Sequence, residues 1–173
     1  MQKITPFLWF EDNAEEAVTF YPSILENSKV VHVSRFGESG PKGTVMVMTY
    51  ELESQQFTVL NGGPQFKLSP AISLVVNCKT QEEIDRFWVE LSEGGETQPC
   101  GAVRDEFGVS RQVVPTMLAE MMRDETPGKS ENVLKALRKM DKLDIESLKR
   151  AYDGAPLRGL AGKSGLTSSG AAF

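Results

Sequence analysis

One pattern occurs twice in this chain and constrains its fold more than any single motif. Asn13-Ala14-Glu15-Glu16, ending in Phe20-Tyr21, is answered by Thr80-Gln81-Glu82-Glu83, ending in Phe87-Trp88. Each copy pairs a helix-capping residue with an acidic residue three positions later. Such a pair satisfies amides that the first turn of a helix leaves open. Each copy also follows a short apolar run, Ile4 to Phe10 and Ile72 to Val76. A repeated strand–helix unit predicts a duplicated architecture with a pocket built from both halves.

The stretches between the repeats read as strands. Ile4 to Phe10 is rich in aromatic and branched residues, and Pro6 marks a strand edge or end. Lys29 to Phe36, Thr44 to Leu52 and Gln56 to Leu60 follow, with a hairpin loop over Gly37 to Gly43. Asn61-Gly62-Gly63-Pro64 breaks the chain sharply. The second half restarts at Ala71 to Asn77. Its helix carries an apolar stripe of Ile84, Phe87, Trp88 and Leu91 and stops at Gly94-Gly95. One short strand is expected within Thr97 to Ala102, a turn at Asp105 to Gly108, and a closing strand over Val109 to Val114. The halves therefore read βαβββ and a shorter βαββ(β).

From Thr116 the spacing turns helical. Met117, Leu118, Met121 and Met122 form one stripe; Val133, Leu134, Leu137 and Met140 form another; Asp144 caps a last short helix. The expected boundaries are a paired-module domain over 1–115, with modules near 1–64 and 65–115, and a helical extension over 116–153. A Gly-, Ala- and Ser-rich tail over 154–173 is expected to be disordered or partly vector-derived.

Composition narrows the function classes. With 173 residues, 40% apolar and 25% charged, the chain can bury a core without disulfides or metals. A net charge of -5 argues against nucleic-acid binding, which needs clustered Lys and Arg. No apolar run approaches the ~20 residues of a membrane span. The first residues carry no signal-peptide apolar region, so the expected location is cytoplasmic. Cys78 and Cys100 are far from C-x-x-C spacing and are expected to be reduced thiols.

The duplicated unit with its Asn-Ala-Glu-Glu-Ala…Phe-Tyr helix resembles the vicinal-oxygen-chelate superfamily, the fold of glyoxalase I and bleomycin-resistance proteins. It is most similar to the PhnB-like branch, whose members are often labelled 3-demethylubiquinone-9 3-methyltransferase. The stretches that carry the likeness are Thr5 to Phe10, Leu60 to Pro64, Ala71 to Cys78, Asp105 to Ser110 and Leu148 to Tyr152. The resemblance implies an α+β fold: two βαβββ modules form a cup-shaped mixed sheet around a cavity, with C-terminal helices beyond. It also implies a homodimer.

Metal-binding members of that superfamily use His and Glu side chains near the first strand of each module and near the last strand. The resemblance places those positions at Ile4 or Thr5, near Leu60 or Asn61, at Ala71 and at Gln112. These offer at most neutral amide oxygens, and a metal site needs at least three converging ligands. The expectation is no cofactor and no metal. The residues expected to line the cavity are Phe7, Trp9, Phe57, Asn61, Arg111 and Gln112. Arg111 adds a fixed cation that favours an anionic ligand.

Catalytic candidates are few. His32 is the one histidine and lies mid-strand, as a general base or a plain polar-face residue. Cys78 precedes a helix N-terminus, where a thiol is activated if exposed and inert if buried. Glu15-Glu16 and Glu82-Glu83 belong to helix first turns, where acids complement the helix dipole. Neither glycine pair has a nucleotide-loop spacing, and Glu11-Asp12-Asn13 after the first strand contains no glycine. The reading is a protein that binds or sequesters a small molecule without metal. The alternatives are a divalent-metal enzyme of lyase, dioxygenase or isomerase type, and a methyltransferase. No residue pattern names a substrate.

Overall fold

The structure, a computed structural model, describes residues 2–38 and 40–155. The first module runs β1 (Phe7–Phe10), α1 (Ala14–Ile24), β2 (Lys29–Arg35), β3 (Val45–Leu52) and β4 (Gln55–Asn61). The second runs β5 (Leu74–Cys78), α2 (Gln81–Ser92), β6 (Glu96–Gln98), β7 (Ala102–Arg104) and β8 (Ser110–Pro115). Three helices follow: α3 (Leu118–Arg123), α4 (Lys129–Leu137) and α5 (Ile145–Tyr152). The tail from residue 156 on, where disorder was expected, lies outside the described residues.

The two modules build one topology twice. Their sheets have the orders β1-β4-β3-β2 and β5-β8-β7-β6. In each, the first and last strands of the module pair in parallel, and the other neighbours are antiparallel. The second module is therefore a complete βαβββ unit, which corrects the shorter reading of its sequence. The single strand expected within Thr97 to Ala102 is two three-residue strands around Pro99-Cys100-Gly101. Cys100 and Gly101 both adopt positive φ there, at 66° and 80°. Such a tip leaves too little alternation for a periodicity argument to resolve.

Each sheet turns one face to its helix. Leu8 and Phe10 of β1 join Met48, Tyr50, Phe57 and Val59 in the first core, against Ala14, Ala17, Val18 and Tyr21 of α1. Val76, Cys78, Val103 and Val113 form the second core, with Ile84, Phe87 and Leu91 of α2. The opposite face of the first sheet carries Phe7, Thr58, Thr49 and His32 in one cross-strand register. The opposite face of the second carries Val75, Gln112 and Ala102 in another.

The C-terminal helices have a core of their own, from Met121, Val133, Ala136, Met140, Leu143 and Leu148. They brace the second module at two points. Cys100 and Gly101 donate their amides to Met140 and Asp141 carbonyls, at 2.7 and 2.8 Å. Gln81, at the start of α2, accepts from the Ile145 amide at 2.8 Å and donates to the Leu143 carbonyl at 3.1 Å.

The two helix starts are capped differently. Thr80 Oγ1 accepts from the Glu83 amide, and Glu83 reaches back to the Lys79 amide, one residue earlier than expected. Asn13, by contrast, makes no side-chain cap bond. Asn61 takes that role from across the sheet: its Oδ1 accepts from the Ala14 amide at 2.9 Å, and its Nδ2 donates to the Val45 carbonyl at 3.1 Å. The glycines after Asn61 serve two needs. Gly63 has φ of +82°, and a Cβ on Gly62 would lie 2.2 Å from the Trp9 ring.

Asn61→Ala is expected to destabilise the fold by about 1–2 kcal/mol, because it removes a cap and strands a carbonyl. Asn13→Ala is expected to stay within about 0.5 kcal/mol. Urea midpoints for the two variants, at unchanged m, check the assignment.

Candidate functional site

The modules interlock through the turn between β7 and β8. Asp105 opens it: its carbonyl accepts from the Gly108 amide at 2.9 Å, and its Oδ1 accepts from the Phe107 and Val109 amides at 3.1 and 2.8 Å. That Asx turn drives Phe107 and Val109 into the core of the first module. Phe107 packs on Phe20 and Tyr21, with ring centroids 5.5 and 5.9 Å apart.

The other carboxylate oxygen of Asp105 is shared. Tyr21 Oη donates to Oδ2 at 3.0 Å, from the first module. Arg111 Nε donates to the same Oδ2 at 3.4 Å, from the second. The Arg111 guanidinium also lies 4.4 Å over the Tyr21 ring. Tyr21 stacks on Tyr50, and Tyr50 on Phe57. Asp105 and Arg111 are 3% and 2% exposed. Burial pushes the Asp105 carboxyl above its ordinary value; Arg111, the Val109 amide and Tyr21 pull the other way. Burial likewise raises the Tyr21 hydroxyl well above its ordinary value, against the pull of Arg111.

Beside this cluster a cleft of about 780 Å3 opens between the modules. Leu52 and Phe57 line it from the first module; Leu74, Val76, Phe87 and Arg111 line it from the second. The cluster does not satisfy every donor. Arg111 Nη2 and Tyr50 Oη are buried without a hydrogen-bond partner.

The six residues expected to line one cavity do not converge. Phe57 and Arg111 line the large cleft. Trp9 lines a smaller one of about 490 Å3, where it donates to the Gly63 carbonyl and packs edge-on against Phe66. Phe7 and Gln112 stand on the sheet faces turned away from the helices. Asn61 is committed to the α1 cap. The reason is the period of two: Arg111 and Gln112 are consecutive in β8 and cannot share a face. Asp105, Tyr21 and Tyr50 escaped the sequence reading. The signal was an arginine at the centre of the alternation Val109–Arg111–Val113, where a buried charge requires a partner.

The catalytic candidates stand apart. His32 is exposed on β2, with Nε2 3.0 Å from Ser34 Oγ. Cys78 is fully buried. Its thiol is pushed up to about 11, first by burial and then by Glu83, partly offset by Arg86. This is the reverse of the activated thiolate that its place before α2 suggested: the helix start does not offset desolvation.

A divalent metal does not fit the positions that the fold resemblance assigns to it. Ala71 offers no donor, and the Asn61 amide is held at both ends. Among the described residues no three His, Cys, Asp or Glu side chains come together. No helix among them is long and apolar enough to cross a membrane.

Comparison with known proteins places this geometry. A family model described as 3-demethylubiquinone-9 3-methyltransferase matches residues 2–114. The chain is 37% identical to the PhnB protein of Bacillus cereus, described under the same methyltransferase name. The match covers 66% of this chain and 100% of that one, with a TM-score of 0.63. A Pseudomonas aeruginosa protein is 24% identical, covering 66% and 98% of the two chains at a TM-score of 0.57. The fosfomycin resistance protein FosX of Listeria monocytogenes is 14% identical, covering 71% and 98% at 0.53. The last two likenesses concern the fold alone. No curated protein matches the chain.

Asp105→Asn keeps the acceptor for the turn amides but removes the charge that faces Arg111. It is expected to cost about 3–5 kcal/mol, the range for breaking a buried ion pair from one side. Arg111→Met is expected to cost less in that background than in the native chain. Chemical denaturation of the four proteins of this cycle checks both outcomes.

Proposed function

The chain belongs to the family described as 3-demethylubiquinone-9 3-methyltransferase, and from that premise we propose that it binds a small molecule, without a metal ion, in the cleft between its two modules. The observation that carries the reading is the make-up of the cleft. Apolar walls from both modules meet there beside a cluster of buried polar groups. Polar and charged side chains such as Gln55, Asn77 and Arg86 share the lining with these walls, and a small-molecule site joins apolar walls to placed polar groups of this kind. At about 780 Å3 the cleft falls in the ordinary size range for such ligands.

The family name implies methyl transfer. A methyl donor carrying a nucleoside is commonly seated by a glycine-rich turn after a first strand. Here Glu11, Asp12 and Asn13 fill the link from β1 to α1. These residues do not fit such a donor, and we assign the chain no methyl-transfer step. The donor chemistry at Ala71 and Asn61 supports a metal-independent site in the same way. Binding or sequestration then needs no activated nucleophile, consistent with a buried, protonated Cys78.

Pairing of two chains is part of this reading. Phe7 and Val75 are each 56% exposed on the sheet faces that no helix covers. Large apolar side chains left exposed on an uncovered sheet face are candidates for burial against a second chain.

Native mass spectrometry of the gently purified protein tests the proposal. The expected species is a two-chain assembly carrying an organic ligand and no stoichiometric divalent ion. Re-adding that ligand at a hundredfold excess over Kd is expected to stabilise the fold by about 2.7 kcal/mol, roughly 5–10 °C in Tm. Manganese, nickel, zinc and magnesium are expected to give no shift. A tightly held divalent ion at one per chain would contradict the reading.

A further inference from the structure

Resting on that binding reading, we infer that the cleft is a carboxylate site: Arg111 receives the anionic end of an organic acid whose apolar body lies against Phe57, Leu74 and Phe87.

Arg111 is the point of departure. Its side chain lines the cleft yet is 2% exposed. Among the described residues its Nε donates to Asp105 at 3.4 Å, and its guanidinium lies against Tyr21. Nη2 has no partner. A guanidinium carries five donors in a planar fork, built to meet two oxygens at once. A buried, charged donor left unmade is costly, and each such group in a native fold needs an explanation. An acceptor that reaches Nη2 from the cleft, which Arg111 helps to line, would remove that cost. Tyr50 Oη, in the same aromatic cluster, is a second buried donor without a partner.

The surroundings choose the class of anion. Asp105 already balances much of the Arg111 charge. The cleft is lined by Glu26, Glu53 and Glu83 against Lys79, Arg86 and Arg111. A site so balanced offers little to a phosphate dianion, which the three carboxylates would repel. A single negative charge with a planar pair of oxygens fits the fork. The apolar walls then ask for a hydrocarbon or aromatic body, which a bare inorganic anion lacks.

The test titrates the full chain by calorimetry with 2-naphthoate, 3-phenylpropionate and octanoate, each beside its own carboxamide. At least one acid is expected to bind at least tenfold more tightly than its amide. Arg111→Lys is expected to weaken that acid about tenfold and to leave the amide unchanged. Arg111 is buried and its replacement can unsettle the fold, so nitrogen-15 spectra of the native chain give a second readout. The Arg111 Nη signals are expected to shift with the acid and not with the amide. Phe57→Ala is expected to weaken acid and amide alike. Equal affinity of acid and amide, both weakened by Phe57→Ala, would overturn the carboxylate assignment and leave the cleft reading standing. Failure of every acid and amide to bind would overturn both.

Discussion

One buried carboxylate oxygen takes hydrogen bonds from both halves of this molecule. Asp105 Oδ2 accepts from Arg111 of its own module and from Tyr21 of the other, in a place nearly closed to water. Taking those charges out of water is costly, and mutual attraction offsets the cost only when other hydrogen bonds complete the set. Here the Asx turn supplies them: two backbone amides hold Oδ1. The same turn carries Phe107 and Val109 into the neighbouring core. The seam between the cores and the Arg111 wall of the cleft meet at this anchored turn. Arg111 sits at that seam, between Val109 of the first core and Val113 of the second on the same side of the chain.

How much of this was legible in the sequence depends on the range of the interaction. The duplicated unit was legible because capping and strand periodicity are local. Thr80 with Glu83, and Asp144 with Ser147, form their caps within one turn. Asn13 looked equivalent to Thr80, but its helix is capped by Asn61, a partner that only the folded sheet brings near. The cavity residues were harder still. A list containing both Arg111 and Gln112 cannot describe one face of a strand. The choice between them depends on which face meets α2, and that is set by packing. The hairpin tip around Cys100 has too little alternation to read, and its amides are satisfied by Met140 and Asp141, in a segment forty residues away.

The helices beyond the family match give the extension a physical role. The matched region ends at residue 114, and α3 to α5 lie beyond it. Their links to Gln81 and to the β6–β7 tip fix the start of α2. Lys142 adds an exposed ion pair to Asp85, 2.6 Å away, on the same helix. Because α2 supplies Phe87 to the cleft, bracing its first turn also steadies one wall of the candidate site. The family name speaks of methyl transfer, whereas the cleft between the modules joins apolar side chains to charged ones, Arg86 and Arg111 among them.

The account stands on the two modules behaving as one cooperative unit through the shared carboxylate. Native-state hydrogen exchange on Tyr21→Phe, which deletes only the cross-module hydroxyl, tests it most directly. The account predicts that the slowest amides of β4 and of β8 lose protection together, by about 1.5–3 kcal/mol, the range for a hydrogen bond to a charged group. Loss confined to α1, with the slowest β8 amides keeping their native protection, would contradict it.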